Sequence, residues 1–387
     1  MKKKVITFLI MTLVVSNIAF FNASIVHAET IESTTNTDNK IKVSLENIRE
    51  IMTDNNLDIK MLDNKLKIAR EKYQESKDAR EDKPSKPNST DNDNYEEELA
   101  EYNKDLANYK ASESAYEKAK TDVKTARDNY EKGVESKVLT AQQDYINYLG
   151  TLAEKQLQVN TAKSTERDAK LLKIKYESGF ISNKEYVNSK ITTAESNNTL
   201  EKSINDEALQ KTKLCNELGV SAEEIMIDTD INEDFMVIAK INYEDDLETM
   251  LINNKSIQAA SDNIDDLDES DDETDDDSDY TDEVDDYDMD NAKIELKKSK
   301  IDAEEKFKTQ YNTLMSSYNS TKSSYDKIIQ KQKEYQTNQI KYDYGFASKN
   351  DTDDAKVTFE KDSNDFIKKR NQCYLDYLKY IQMKEGY

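Results

Sequence analysis

The side chains that most often carry out chemistry in proteins are scarce in this sequence. There is one histidine, His27, and there are two cysteines, Cys215 and Cys373. Histidine acid–base catalysis, nucleophile pairs with histidine and nearly all zinc sites need more of these residues than the chain has. The six glycines form no GxGxxG or GxxxxGKS/T segment, so no phosphate-cradling loop is expected. The sequence therefore predicts a protein that is not an enzyme and that needs no cofactor.

Carboxylates are the one chemically active group in excess, and most of that excess is local. Seventeen of the twenty-six residues 265–290 are Asp or Glu. They lack the Asp-x-Asp-x-Asp-Gly spacing and closing Glu of a calcium loop, so no dedicated metal cage is expected. We predict a solvated, disordered acidic loop over residues 262–290. The formal charge of −25 argues against nucleic acid or an anionic membrane surface as a partner.

Residues 1–28 have the pattern of a secretory signal peptide. Three lysines precede an apolar run from Val5 to Phe21, and Val26-His27-Ala28 has small residues at positions −3 and −1 of a cleavage site. The run is short for a spanning helix and is interrupted by polar residues. We expect cleavage after Ala28 and an extracellular or envelope-associated mature chain that has no bilayer-spanning segment.

The rest of the chain has the composition of long, charged helices. Hydrophobic residues make up 36% and charged residues 35%, with only two prolines. Six residues that a helix would place along one side, its packing seam, recur at every seventh position: Tyr95, Tyr102, Tyr109, Tyr116, Val123 and Tyr130. We expect these tyrosines to pack in a helical seam with their hydroxyls reaching water. The predicted fold is all-α, with long antiparallel coiled-coil hairpins.

Turn signals divide the chain into two tandem helical repeats. A polar leader, 29–43, precedes the first repeat, 44–219, which contains a proline loop at 78–94 and a turn at 176–186. An irregular connector, 220–242, follows, in which Phe235-Met236-Val237-Ile238 is a candidate strand. The second repeat, 243–384, contains the acidic loop at 262–290 and a turn at 342–354.

The two turns share a sequence motif, which is the most informative feature of the chain. Lys-Tyr-x-x-Gly-Phe-x-Ser occurs at 175–182 and again at 341–348. Glycine takes the positive φ that ends a helix, the phenylalanine can pack back on the last turn, and the serine can cap the next helix. An Asn-Asn-x-x-Ile segment also recurs, at 55–59 and 253–257.

Long helices, two repeats and these paired motifs make the sequence resemble the TolC family of outer-membrane efflux ducts. The resemblance implies a homotrimeric α-helical tunnel whose turns dock a membrane-fusion adaptor of an ABC-type or other export pump. It also implies the adaptor-docking residues Tyr176, Gly179, Phe180 and Ser182, with Tyr342, Gly345, Phe346 and Ser348. The entrance carboxylates would be Glu185, Asp351 and Asp354. The alternative role for Asp351 and Asp354 is that of first-turn acids that stabilise a helix dipole.

The sequence departs from that family where its members insert membrane β-strands. The corresponding segments here are the loop at 78–94 and the acidic block at 262–290, and neither has an apolar alternation. The expected fold is therefore a TolC-like α-barrel protomer without the membrane strands, which would suit a Gram-positive envelope. The other hypothesis is a secreted structural or surface-interaction coiled coil that has no transport role.

Two cysteines in an exported chain could form a disulfide bond, but their positions in the two repeats argue against it. Cys215 lies 36 residues after Gly179, whereas Cys373 lies 28 residues after Gly345. If the turns align, the helical rise separates the two cysteines by about 12 Å, beyond the limit of about 7 Å for bonded Cα atoms. No intrachain disulfide is predicted.

Overall fold

The computed structural model describes residues 40–87, 94–229, 235, 237–273 and 279–387. The proposed signal peptide and residues 29–39 of the leader lie outside the described residues. The first half contains strand β1 (Ile41–Val43) and helices α1 (Ile48–Asn55), α2 (Leu57–Asp78), α3 (Tyr95–Glu177) and α4 (Asn183–Leu218). The second half contains strand β2 (Ile225–Ile227), a 3-10 turn (Ile238–Lys240) and helices α5 (Tyr243–Asn253), α6 (Lys255–Glu273), α7 (Asp279–Asp343) and α8 (Lys349–Lys384).

The fold is all-α with two tandem repeats, which confirms the predicted fold class. Helices α3 and α4 form one long antiparallel hairpin, and α7 and α8 form the other. Helix α3 has 83 residues and is therefore about 125 Å long at the α-helical rise. The seam tyrosines from Tyr95 to Tyr130 are half-buried, and the Tyr116 hydroxyl lies 3.1 Å from that of Tyr73 on α2.

Each repeat begins with a short helix that kinks at an Asn-Asn pair. Asn56 caps α2 by accepting a hydrogen bond from the Ile59 amide at 3.0 Å. Asn254 accepts one from the Ile257 amide at 3.1 Å. The repeated Asn-Asn-x-x-Ile segment is therefore the start of the second helix in both repeats.

A glycine at the end of each hairpin packs against this kink, and we call the pair of contacts the glycine clasp. Gly219, with φ of 69°, follows α4 and lies against the Asn55 carbonyl, while Gly386, with φ of 95°, lies against the Asn253 carbonyl. A Cβ at either glycine would come within 3.0 Å of that backbone. The clasp brings the last residues of each repeat back to its first helix.

Two structural features differ from the sequence expectations for the leader and the connector. The sequence predicts a polar leader over residues 29–43, yet residues 41–43 form β1, which pairs in parallel with β2 in the register Ile41 to Ile225. The strand expected at Phe235–Ile238 was wrong, because Ile238 begins a 3-10 turn and Met236 lies outside the described residues. Phe235 is instead buried against Tyr374, with ring centroids 6.4 Å apart.

The acidic segment is also more ordered than expected. Helix α6 extends to Glu273 and α7 begins at Asp279, so the predicted disordered loop over 262–290 is wrong for residues 262–273 and 279–290. Residues 274–278 lie outside the described part of the chain. Asp262 contacts Lys124 of α3 at 2.6 Å, so the start of the segment lies beside the first repeat.

The core lies where the short elements meet the bases of the two hairpins. Its aromatic centre is Phe307, which is fully buried and stacks between Tyr243 and Tyr380 with centroid distances of 5.8 and 4.9 Å. The buried hydroxyl of Tyr380 donates to Asp246 at 2.8 Å, and Asp246 also pairs with Lys384 at 2.5 Å. Burial is the largest cause of the raised pKa of Tyr380, and the hydrogen bond to the Asp246 carboxylate raises this pKa further. Helices α5, α7 and α8 are thereby joined at one point.

Both cysteine thiols are buried, and their reactivity can be predicted. Burial raises the pKa of Cys215 and raises that of Cys373 to about 12. Because the thiolate is the reactive form, we expect native protein to react slowly with a disulfide reagent. Mass spectrometry of denatured, unreduced protein should find two free thiols. A loss of two mass units would contradict the prediction.

Candidate docking tips

The first hairpin turns at residues 176–186, which we call tip 1. Gly179 has φ of 77° and follows the end of α3. The Gly179 amide donates to the Tyr176 carbonyl at 2.9 Å, and the Phe180 amide donates to the Lys175 carbonyl at 2.8 Å. These two bonds form a Schellman motif, which satisfies carbonyls at the end of α3.

The second hairpin turns in the same way at residues 342–354, which we call tip 2. Gly345 has φ of 75°. Its amide donates to the Tyr342 carbonyl at 2.9 Å, and the Phe346 amide donates to the Lys341 carbonyl at 2.7 Å. The shared sequence motif thus produces the same backbone geometry in both repeats.

A capping box begins the helix after each tip. The Ser182 hydroxyl accepts from the Glu185 amide at 3.2 Å, while the Glu185 carboxylate accepts from the Ser182 amide at 2.8 Å. Ser348 and Asp351 repeat the arrangement, at 3.2 and 2.9 Å. Hydrogen bonds from Ser182 and from Ser348 lower the pKa values of Glu185 and Asp351, respectively. Both carboxylates therefore fix the exit of the chain from its turn.

The phenylalanine side chains of the tips point outward. Phe180 is 81% exposed and Phe346 is 83% exposed, so the expectation that they pack back on the preceding turn was wrong. In tip 1, Tyr176 stacks on Tyr186 with ring centroids 4.7 Å apart. In tip 2, the Lys349 ammonium lies 5.6 Å from the Tyr342 ring centroid.

Charged and amide side chains join the two hairpins along the α3–α8 seam, which we define by the following contacts. Glu154 of α3 accepts from Lys368 at 2.5 Å and from Asn364 at 2.7 Å. Burial opposes ionisation of Glu154, but these hydrogen bonds together lower its pKa. Farther along, Asn160 donates to Glu360 at 3.1 Å.

An ion pair that sequence reasoning missed ends the α3–α8 seam beside the tips. Arg167 of α3 pairs with Asp353 of α8, and Asp353 also contacts Lys349 at 3.1 Å. The neighbouring Asp354, chosen from the family resemblance, is exposed instead. Arg167 and Asp353 are 186 positions apart, so no local pattern could have linked them. The ion pair holds tip 1 and tip 2 at the same end of the molecule.

The described residues contain neither a plausible metal cluster nor a membrane-crossing helix. In the described ranges, no three or more His, Cys, Asp or Glu side chains gather in a way that could hold a metal ion. Across those same ranges, no helix has both the length and the apolarity needed to traverse a bilayer.

Comparison with solved structures relates this fold to bacterial outer-membrane channels. A membrane protein from Pseudomonas aeruginosa superposes with a TM-score of 0.57 at 13% identity, covering 93% of this chain and 95% of that one. The CmeC outer membrane channel of Campylobacter jejuni gives a TM-score of 0.57 at 12% identity, over 93% and 90%. The outer membrane protein VceC of Vibrio cholerae gives 0.53 at 12% identity, over 88% and 96%.

Sequence comparison alone does not find this relationship. No protein-family model matches the chain, and no curated protein is significantly similar to it. The structural similarity nevertheless extends along nearly the full length of each channel chain. The chain therefore has the fold of TolC-type outer-membrane channels.

Proposed function

We propose that this exported protein is the helical tunnel component of an efflux or export system in the cell envelope. Three copies would close the tunnel, and the tips would dock a membrane-fusion adaptor that connects to an ABC-type or other export pump. The observation that carries the proposal is the pair of matched tips, each with a rigid left-handed turn and a phenylalanine more than 80% exposed.

The fold comparison supports a channel body rather than an isolated coiled coil. CmeC is described as an outer membrane channel, and its similarity covers 93% of this chain, including both hairpins. A simple spacer would need neither two matched hairpins nor a seam that holds their tips together.

The chemistry of the tips suits a helical adaptor. Burying an exposed phenylalanine stabilises a contact by roughly 1.5–3 kcal/mol. The Schellman turns and capping boxes fix the backbone that carries Phe180 and Phe346 before binding, which reduces the entropy lost on docking. Tyr344, 76% exposed, adds an aromatic ring to tip 2. An adaptor that presents apolar grooves between helices would match these side chains.

The carboxylates near the tips have separate proposed roles. In a closed ring, Asp354 of each copy would face a narrow entrance and favour cations over anions. Glu185 and Asp351 would contribute negative charge to the same entrance, although each already accepts hydrogen bonds within its cap. We therefore propose Asp354 as the principal entrance carboxylate.

Site-directed cross-linking tests docking directly. Phe180→Cys or Phe346→Cys should cross-link to a membrane-fusion adaptor encoded beside the gene when a short reagent that joins a thiol to an amine is added. The matched control is cysteine at Val284, a residue of α7 that is exposed but distant from both tips in sequence. Equal cross-linking from all three positions, or none from the tips, would favour the alternative of a structural coiled coil.

A further inference from the structure

Two carboxylates lie in the α3–α8 seam, and their surroundings differ. Glu154 of α3 accepts hydrogen bonds from Lys368 and Asn364 of α8 at 2.5 and 2.7 Å, so a cation matches its negative charge. Glu360 of α8 accepts from Asn160 of α3 at 3.1 Å, and that donor is neutral. The negative charge of Glu360 is therefore less well compensated than that of Glu154.

One oxygen of Glu360 and the amide oxygen of Asn364 are buried without a donor. Across the described part of the chain, nothing donates to Glu360 Oε2 or to Asn364 Oδ1. The Asn364 amide nitrogen already donates to Glu154, which fixes the orientation of the amide and leaves Oδ1 as its unpaired atom. Asn364 is only 5% exposed, so its amide has little contact with solvent. Buried polar atoms are nearly always paired, so these two oxygens need an explanation.

The two unpaired oxygens belong to residues on successive turns of α8. Glu360 and Asn364 are four positions apart, the spacing at which side chains on a helix become neighbours. When Glu360 is ionised, both oxygens can only accept hydrogen bonds, so they cannot bond to each other. A protonated carboxyl has one O–H donor, and a proton on Glu360 Oε2 would satisfy both atoms at once.

The charges around Glu360 favour its ionised form only weakly. Lys356, one turn earlier on α8, lies 3.7 Å from Glu360 Oε1 and is 40% exposed, so solvent screens its charge. The half-buried charged groups of α3 and α7 along this stretch have other partners: Glu154 with Lys368, Lys155 with Glu207, Arg167 with Asp168 and Asp353, and Lys331 with Glu334. Burial therefore outweighs Lys356 and Asn160, and it raises the pKa of Glu360.

We propose that Glu360 is a proton-operated link between the two hairpins. In the protonated state, Glu360 carries a proton from solvent on Oε2 and donates a hydrogen bond to Asn364 Oδ1, while Oε1 still accepts from Asn160. Its side chain keeps 19% exposure, so the proton can exchange with solvent. Loss of the proton leaves an ionised carboxylate in the seam beside a second unpaired acceptor.

The protonated state completes a chain of hydrogen bonds that crosses the seam twice. Asn160 of α3 donates to Glu360, Glu360 donates to Asn364, and Asn364 donates to Glu154 of α3. All three donations run in one direction, so each bond polarises and strengthens the next. The seam between α3 and α8 is thereby tightest when Glu360 is protonated and Glu154 is ionised.

The two carboxylates of the seam should respond to pH in opposite directions. The native chain binds a proton at Glu360 more tightly than the unfolded chain does, so the stability from Glu360 is present at acidic pH and is lost as pH rises through its native pKa. The pKa of Glu154 is lowered, so its contribution is present at neutral pH and is lost as pH falls through its native pKa. In the tunnel, and resting on that proposed function, protonation of Glu360 holds tip 1 and tip 2 together more firmly.

Urea unfolding of the purified full chain across pH tests the link. Glu360→Gln gives Asn364 Oδ1 a permanent N–H donor, so at about pH 8 the unfolding equilibrium constant of the variant should be about threefold or more below that of the unsubstituted protein. The two proteins should converge as pH falls and Glu360 takes up its proton. A ratio that does not change with pH, or a variant that is less stable at about pH 8, would overturn the proposal.

Two further variants separate this role from a general change in packing. Glu154→Gln is the matched control in the same seam, and it should lose stability at about pH 8 because Lys368 is left without its carboxylate. In an Asn364→Ala background, Glu360→Gln should lose most of its advantage, since the acceptor is gone. An undiminished advantage in that background would contradict the pairing of Glu360 with Asn364.

These measurements distinguish failure of the link from failure of the tunnel. They report on the fold of a single chain, whereas docking is tested by cross-linking from the tips. A pH response without cross-linking would leave the link standing and remove the proposed function. Cross-linking without a pH response would keep the proposed function and overturn the link.

Discussion

Replacing Gly386 or Gly219 by alanine is expected to lower the free energy of unfolding by about 2 kcal/mol or more. Both glycines have positive φ, which is strained for alanine, and a Cβ would also strike the backbone of the Asn-Asn kink. Chemical denaturation followed by circular dichroism at 222 nm, a wavelength that reports on α-helix, measures the change.

Three other glycines separate the contributions of backbone strain and steric clash. Gly150 lies inside α3 with nothing within 4 Å of an added Cβ, so alanine there should be neutral or stabilise by up to about 1 kcal/mol. Gly179 and Gly345 have positive φ in open space, so alanine there should cost about 1 kcal/mol. If Gly386→Ala behaves like Gly150→Ala, the glycine clasp does not stabilise the fold.

Truncation of Phe307 to alanine should destabilise the protein by about 3–5 kcal/mol. Its ring is fully buried between Tyr243 and Tyr380, so the change leaves a cavity among aromatic residues that cannot collapse easily. The free energy of unfolding of the purified variant, measured in urea, tests this value.

Phe346→Ala is the matched control for Phe307→Ala, because the same atoms are removed from a side chain that is 83% exposed. We expect a change within about 0.5 kcal/mol. A large loss of stability would mean that Phe346 packs within the fold, and its proposed role in docking would then lose its basis.

The hairpins and tips could be predicted from sequence because their signals are local. Heptad spacing defines a helical seam within a few turns, and a glycine followed by a capping serine defines a turn within eight residues. The same motifs also show which residues of the two repeats correspond to each other. Gly386 was not recognised as the equivalent of Gly219, since its role depends on a distant Asn-Asn kink.

The features that sequence reasoning missed depend on contacts between distant segments. Residues Ile41–Val43 form a strand only because Ile225–Ile227 lies beside them, and three residues are too few to show an alternating pattern. Asp353, rather than its exposed neighbour Asp354, contacts Arg167 because of the rotation of α8 against α3. The acidic composition predicts a loop where the structure has helices, because composition alone does not reveal contacts such as Lys124 with Asp262.

The closed ends of the repeats also bear on how such a chain can arise. Strand β1 at the start of the first repeat pairs with β2 just after its end, and Gly386 brings the end of the second repeat back to Asn253. Each repeat thus begins and finishes at one place, so a gene segment encoding it can be copied in tandem with only a short joining sequence.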